Sequence, residues 1–273
     1  MPTSLKRLTS TRPTSPDVQI VQADRAPVGQ EEDVPAIPET IGEKYGEKVV
    51  ASKLPYIDEL VPPSLSYAKR GKNFGVVTYV RDDVKVLRTR EVDWDKEGRV
   101  VVIELDGLAI YNVYALNGSE YPWNDPQTGK TRGSRNERKR EFNRLLMEDV
   151  KHQRKNPQTP HIILVGDFNI SLAAIDCFPR LRTEYPHNVA RQEFNEQIIP
   201  GMHVVDVWRK IHGMETKGYS WFAVGKPHRS DAARVDYALV CEDAVDRVKS
   251  VEYLEKDQGR SDHCPLVLKF SMK

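Results

Sequence analysis

The apolar positions change rhythm several times along the chain, and each change predicts an element. Residues 75–80, Gly-Val-Val-Thr-Tyr-Val, are β-branched and aromatic, which suits a pleated strand. Residues 99–105 and 108–114 are two similar runs on either side of Asp106-Gly107, a pair that supplies the positive φ of a two-residue turn and so predicts a hairpin. Ser134-Arg135-Asn136-Glu137 then makes a capping-box pattern, and Phe142, Leu145, Leu146 and Val150 follow at helical spacing. The spacing predicts an amphipathic helix over 134–155 with a basic outer face. Residues 161–165 form a short apolar run ending at Gly166, as a buried strand would. A helix is expected over 190–199, stopped by Pro200, and strands over 219–223, 235–240, 248–254 and 265–270. Many strands with a few helices between them indicate a mixed α/β fold, two sheets packed face to face with helices outside.

Composition changes this picture mainly at the N-terminus. Residues 1–48 hold Pro2, Pro13, Pro16, Pro27, Pro35 and Pro38, the acidic cluster Glu31-Glu32-Asp33 and few large apolar side chains. Such a segment buries too little surface to offset its chain entropy and is expected to be disordered, leaving 49–273 as one folded domain. Across the 273 residues, 41 Lys and Arg face 40 Asp and Glu, so net charge gives no bulk preference for nucleic acid. Cys177, Cys241 and Cys264 are odd in number and far apart, which argues against a disulfide framework or a zinc ribbon and reads as buried thiols. No apolar run approaches the roughly 20 residues of a membrane helix, and the N-terminus lacks the apolar core of a secretion signal. A soluble intracellular protein without membrane contact is expected.

Three short motifs offer chemistry. Gly166-Asp167-Phe168-Asn169 follows the apolar run and sets a carboxylate and a carboxamide two residues apart at a strand end. Asp167 can take a proton or bind a divalent cation, and Asn169 can orient a water or a phosphate oxygen; ordinary turn chemistry is the plain alternative. Ser261-Asp262-His263-Cys264-Pro265 places a hard oxygen ligand beside an imidazole. Arg234-Val235-Asp236-Tyr237 opens an apolar strand with an acid that needs a partner, and a histidine is a natural one.

In this order, each at a strand terminus, the motifs resemble the exonuclease III and abasic-site endonuclease branch of the endonuclease/exonuclease/phosphatase superfamily. The resemblance covers residues 53–270 and takes in Tyr114-Ala115-Leu116-Asn117, Ile175-Asp176, Val205-Asp206-Val207-Trp208-Arg209 and Tyr219-Ser220-Trp221. It implies a four-layered α/β sandwich and Mg²⁺- or Mn²⁺-dependent hydrolysis of DNA phosphodiesters in base-excision repair, by a monomer in the nucleus or, given a basic, hydroxyl-rich start, the mitochondrion. It further implies that Asp167 and Asn169 handle the attacking water, that His263 contacts the phosphate and pairs with Asp236, and that Tyr114 stabilises the attacked group. Asp262, with His263, Asp167 and Asn169, is the implied metal set.

The Trp-Asn-Val-Asn-like motif that opens the family is absent, so the N-terminal βα portion is expected to be missing or aberrant. Glu39, in Glu39-Thr40, is then the sole candidate for the family's principal glutamate ligand. Ala233 stands where abasic-site enzymes carry a bulky apolar residue, which leaves 3′-exonuclease activity beside abasic-site incision. Asn117, Arg135, Arg138, Arg234 and Trp221 are the expected DNA contacts. The basic helix supports phosphate binding independently, because a local stripe of cations is its usual footprint. A phosphatase of the same superfamily and a catalytically impaired nucleic-acid-binding remnant are the rival readings.

Overall fold

A computed structural model describes Asp17–Gln22, Glu47–Ser52, Val76–Arg81 and residues 84–257 and 261–272; Glu39 and Gly75 lie outside these described residues. In chain order the strands are β1 (Asp17–Gln22), β2 (Glu47–Ser52), β3 (Val76–Arg81), β4 (Val86–Glu91), β5 (Val100–Leu105), β6 (Leu108–Tyr114), β7 (Pro122–Asn124) and β8 (Thr131–Ser134). Helix α1 (Arg135–Gln153), β9 (His161–Asp167), β10 (Cys177–Phe178), α2 (His187–Glu193), β11 (Val204–Asp206) and α3 (Val207–His212) follow. Short strands β12 (Trp221–Phe222) and β13 (Ala232–Ala233) precede β14 (Asp236–Cys241), β15 (Val248–Tyr253) and β16 (Leu266–Ser271).

Six strands make the central sheet in the order β11-β14-β9-β6-β5-β4, antiparallel except for the parallel pair β6 and β9. That pair needs a crossover, and α1 supplies it. The inner strands β5 and β14 are buried at every position, and β9 at every position after His161, which explains their near-continuous apolar runs. Asp106-Gly107 closes the predicted hairpin, with Leu105 opposite Leu108 and Gly107 at φ 79°. Strand β4 was not legible as a strand. It is the sheet edge, mostly exposed, and its Arg88, Arg90 and Glu91 break the apolar pattern.

The capping box forms as the sequence predicts. Ser134 Oγ accepts from the Glu137 N–H at 3.2 Å, and the Glu137 carboxylate accepts from the Ser134 N–H at 2.6 Å. Phe142, Leu146 and Val150 of α1 are fully buried in the main core. Pro200 does not stop the second helical stretch. Helical backbone continues to Met202, with Pro200 in the first turn of Ile199–Met202, where its missing N–H is tolerated.

A second, antiparallel sheet has the order β1-β16-β15. Leu266, Leu268, Phe270 and Val251 from it share one buried cluster with Ala238, Leu239 and Ile163 of the central sheet. The protein is therefore mixed α/β, with a mixed central sheet and flanking helices. Strand β1 departs from the sequence reading, which placed 17–22 in a disordered segment and took the N-terminal strand as missing. It pairs in continuous register with β16, from Asp17 opposite Ser271 to Gln22 opposite Leu266. Its alternation of Val18 and Ile20 with polar residues is a short strand signal that the surrounding prolines obscure.

Candidate active site

Three strands bring Tyr114, Asp167 and Asp236 into one row. Tyr114 of β6 lies in register with Asp167 of β9, and Asp167 lies opposite Asp236 of β14. Residues opposite one another on adjacent strands point to the same sheet face, so the row sits on one side at the strands' ends. Gly166 makes the close strand approach possible: its φ is 141°, and a Cβ there would lie 1.8 Å from the Val113 carbonyl oxygen. No other residue fits.

After Asp167 the chain turns through Asn169 at a positive φ of 51°. The Asp167 carboxylate accepts the Asn169 N–H at 2.6 Å and its side-chain amide at 2.7 Å, and that amide also donates to the Ala115 carbonyl at 2.9 Å. Asn169 Nδ2 is thus committed, which turns Oδ1 away from both acceptors. The turn is an Asx arrangement, so the turn reading and the site reading of this motif hold at once.

Lys139, on α1, escaped the sequence reading. Its fully buried ammonium donates to the carbonyls of Leu116, Phe168 and Asn169 at 2.9, 3.2 and 2.8 Å, joining the turn after β6 to the turn after β9. Burial pushes this group down to about 7, while the Asp167 charge opposes the shift and Arg99 adds to it. A lysine among five other Lys and Arg residues of one helix carried no signal of its own; its place on the apolar face, three residues before Phe142, was the available clue.

Asp236 and His263 form the expected pair. His263 Nδ1 lies 2.8 Å from Asp236 Oδ2, and the Asp236 N–H donates to Ser220 Oγ at 3.0 Å. Asp236 is fully buried, and its Oδ1 has no hydrogen-bond partner among the described residues, so the imidazole is the main support of that charge. The loop carrying His263 is laced to β12: Trp221 bridges His263, and Phe222 N–H donates to the Asp262 carbonyl at 2.8 Å. Trp221 Nε1 donates to Asp262 Oδ2 at 2.9 Å, so the indole positions this carboxylate.

Two of the expected DNA contacts are corrected. Arg234 is fully buried, its guanidinium bonded to Asp176 at 2.7 and 3.1 Å and to Asp206 at 2.7 Å. Asp176 also receives Arg209, and Tyr237 donates to the Arg234 carbonyl at 2.9 Å. Three stretches of the resemblance thus meet in a single buried network beneath Asp236, out of reach of a phosphate. Arg138 is buried too, 5.1 Å from the Trp123 ring centre and 3.0 Å from Glu141. Arg135 is half-buried, its Nε donating to the carbonyl of exposed Asn117 at 3.3 Å.

The basic face of α1 is likewise mostly committed. Arg140 and Arg144 both bind Glu193 of α2, Lys151 pairs with Glu148, and Arg154, just past the helix, pairs with Asp243. The stripe that suggested phosphate contact is largely neutralised within the protein.

Comparison with known proteins follows these geometric lines. The family described as "Endonuclease/Exonuclease/phosphatase family" matches residues 22–263, which takes in the later part of the segment 1–48 expected to be disordered. A DNA-(apurinic or apyrimidinic site) endonuclease of Arabidopsis thaliana is 27% identical over 205 residues, 65% of this chain and 52% of that protein. An exodeoxyribonuclease of Bacillus subtilis is 25% identical over 181 residues, 64% of each chain. The chain thus aligns with about half to two-thirds of these relatives' length. Among solved structures, a 3′-5′ exonuclease from Neisseria meningitidis superposes with a TM-score of 0.65 at 23% identity, covering 86% of this chain and 84% of that one. An AP endonuclease from Archaeoglobus fulgidus gives 0.60 at 19% identity over 86% and 83%. At these identities the structural likeness speaks for the fold.

Proposed function

The chain belongs to the endonuclease/exonuclease/phosphatase family, and on that footing we propose that it is a divalent-metal-dependent hydrolase of DNA phosphodiesters, active at abasic sites or 3′ ends. The observation that carries this reading is the row of Tyr114, Asp167 and Asp236 with His263 held 2.8 Å from Asp236. In-line attack on a phosphodiester builds charge on non-bridging oxygens, which a cation, an imidazole and a phenol stabilise without covalent chemistry. Asp236 fixes the tautomer and orientation of His263, leaving Nε2 for the phosphate. Asp167 and Asn169 orient the attacking water, and Tyr114 offers its phenol to the attacked group.

The donor set fits a hard cation. The carboxylates of Asp262 and Asp167 and the Asn169 carbonyl are oxygen ligands of the kind Mg²⁺ and Mn²⁺ take, with Glu39 as the expected further ligand. Such an ion supplies charge for the phosphate oxygens. Trp221 holds the Asp262 carboxylate in place for it. The relatives named for DNA repair activities support the substrate class. The remnant reading rests on the missing N-terminal ligands; the basic helix, which favoured DNA over a small-phosphoester substrate, loses weight because its cations are paired within the protein.

The test is incubation with Mg²⁺ and labelled duplexes that carry an abasic site, an unmodified 3′ end or a 3′-phosphate. Incision or trimming is expected, lost with chelator and reduced about 100-fold or more by Asp167→Ala and His263→Ala. Hydrolysis of small phosphoesters with every DNA substrate intact would overturn the assignment.

A further inference from the structure

We propose that His161, Cys241 and Asp243 form a zinc-binding site at the end of the central sheet remote from the active site. His161 begins β9 and Asp167 ends it, so six strand steps of about 3.3 Å place the two sites roughly 20 Å apart. Cys241 ends the neighbouring strand β14, and Asp243 lies in the turn that follows.

The ligand atoms converge. His161 Nδ1 is 3.9 Å from Cys241 Sγ and 3.6 Å from Asp243 Oδ1, and all three ligand atoms fall within 4.8 Å of one another. Zinc bonds of about 2.3 Å to sulfur and 2.0–2.2 Å to nitrogen and oxygen set tetrahedral edges of about 3.3–3.6 Å, so His161 needs to close on each partner by only a few tenths of an ångström, and Cys241 and Asp243 on one another by at most about 1.3 Å. Thiolate, imidazole and carboxylate are the mixed donors that zinc takes, and three protein ligands leave a fourth position for water.

The surroundings suit the role. The Ile162 N–H donates to Cys241 Sγ at 3.2 Å, a bond that supports negative charge on sulfur. Arg154 donates to the other Asp243 oxygen at 3.3 Å, which orients Oδ1 toward His161 and tempers the charge of the pair. Cys241 is buried, whereas Asp243 is exposed and His161 half-buried, giving a route of entry from solvent.

Co²⁺ is the probe, added to the full chain after chelation and desalting. A near-ultraviolet thiolate-to-cobalt band is expected to saturate at one equivalent and to bleach on adding Zn²⁺. Cobalt bound by oxygens at Asp262 and Asp167 produces no such band, so the result stands apart from the nuclease assay. Cys241→Ser abolishes the band; Cys177→Ser and Cys264→Ser retain it. His161→Asn and Asp243→Asn, at less buried positions, keep the fold and weaken Co²⁺ binding by about tenfold or more. Absence of the band in the unaltered chain, its survival in Cys241→Ser, or unchanged affinity in both asparagine variants overturns the site.

Discussion

Lys139 links two turns of the active site through a charge held out of water, and its titration makes that visible. The folded value, about 7, lies below the ordinary 10.5, so between these limits the unfolded chain binds the extra proton. Stability therefore rises with pH from about 7 toward 10.5 and is flat below about 7 as far as this group is concerned. Urea unfolding across that range is expected to show this rise in the natural chain, and Lys139→Met is expected to lose it. The same variant frees three carbonyls that set the Asp167 turn, and its kcat should drop by about tenfold to a hundredfold. At this scale the sequence was legible where a motif placed chemistry beside a strand end, as with Asp167, Asn169, Asp236 and His263. It misled at Arg234, because an arginine bonded to Asp176 and Asp206 reads in sequence like one offered to phosphate.

Helix α1 shows why a charge stripe is an ambiguous signal. Its cap, apolar face and the pairs of Arg138 with Glu141 and Lys151 with Glu148 are written in local spacing, but the partners of Arg140, Arg144 and Arg154 come from elsewhere: Glu193 on α2 and Asp243 after β14. Only the fold brings those acids within reach. Cations already paired release few counterions from DNA, so Arg144→Ala should leave the salt dependence of duplex binding unchanged. Arg135, beside exposed Asn117, is the contrasting position, and Arg135→Ala should reduce the slope of log affinity against log salt by about 1. A titration of fluorescent duplex at several salt concentrations measures both. Strand β4 is the parallel case among strands, since an exposed edge carries little periodicity to read.

Across the whole molecule, the candidate site is assembled by the sheet order, which sets β6, β9 and β14 side by side, an arrangement no local window contains. The hairpin of β5 and β6 and the capped helix after it were legible; the parallel pairing of β6 with β9 that makes this helix a crossover, and the order of the other strands, were not. The N-terminal strand was hidden by its proline-rich neighbours and is recovered only through its partner. Deleting residues 1–22 uncovers the length of β16 as an unpaired edge. Such a chain is expected to melt lower and to aggregate on heating, as differential scanning calorimetry with light scattering would show.

That partnership between β1 and β16 also imposes a timetable on synthesis. The first described strand must wait for the last described one before the pair can close, and contacts of such long sequence separation form slowly. His263 and Asp262 lie only a few residues before β16 and emerge from the ribosome at nearly the same moment as that strand. A nascent chain therefore lacks these two side chains until β16 is about to be made, which ties assembly of the candidate site to closure of the second sheet.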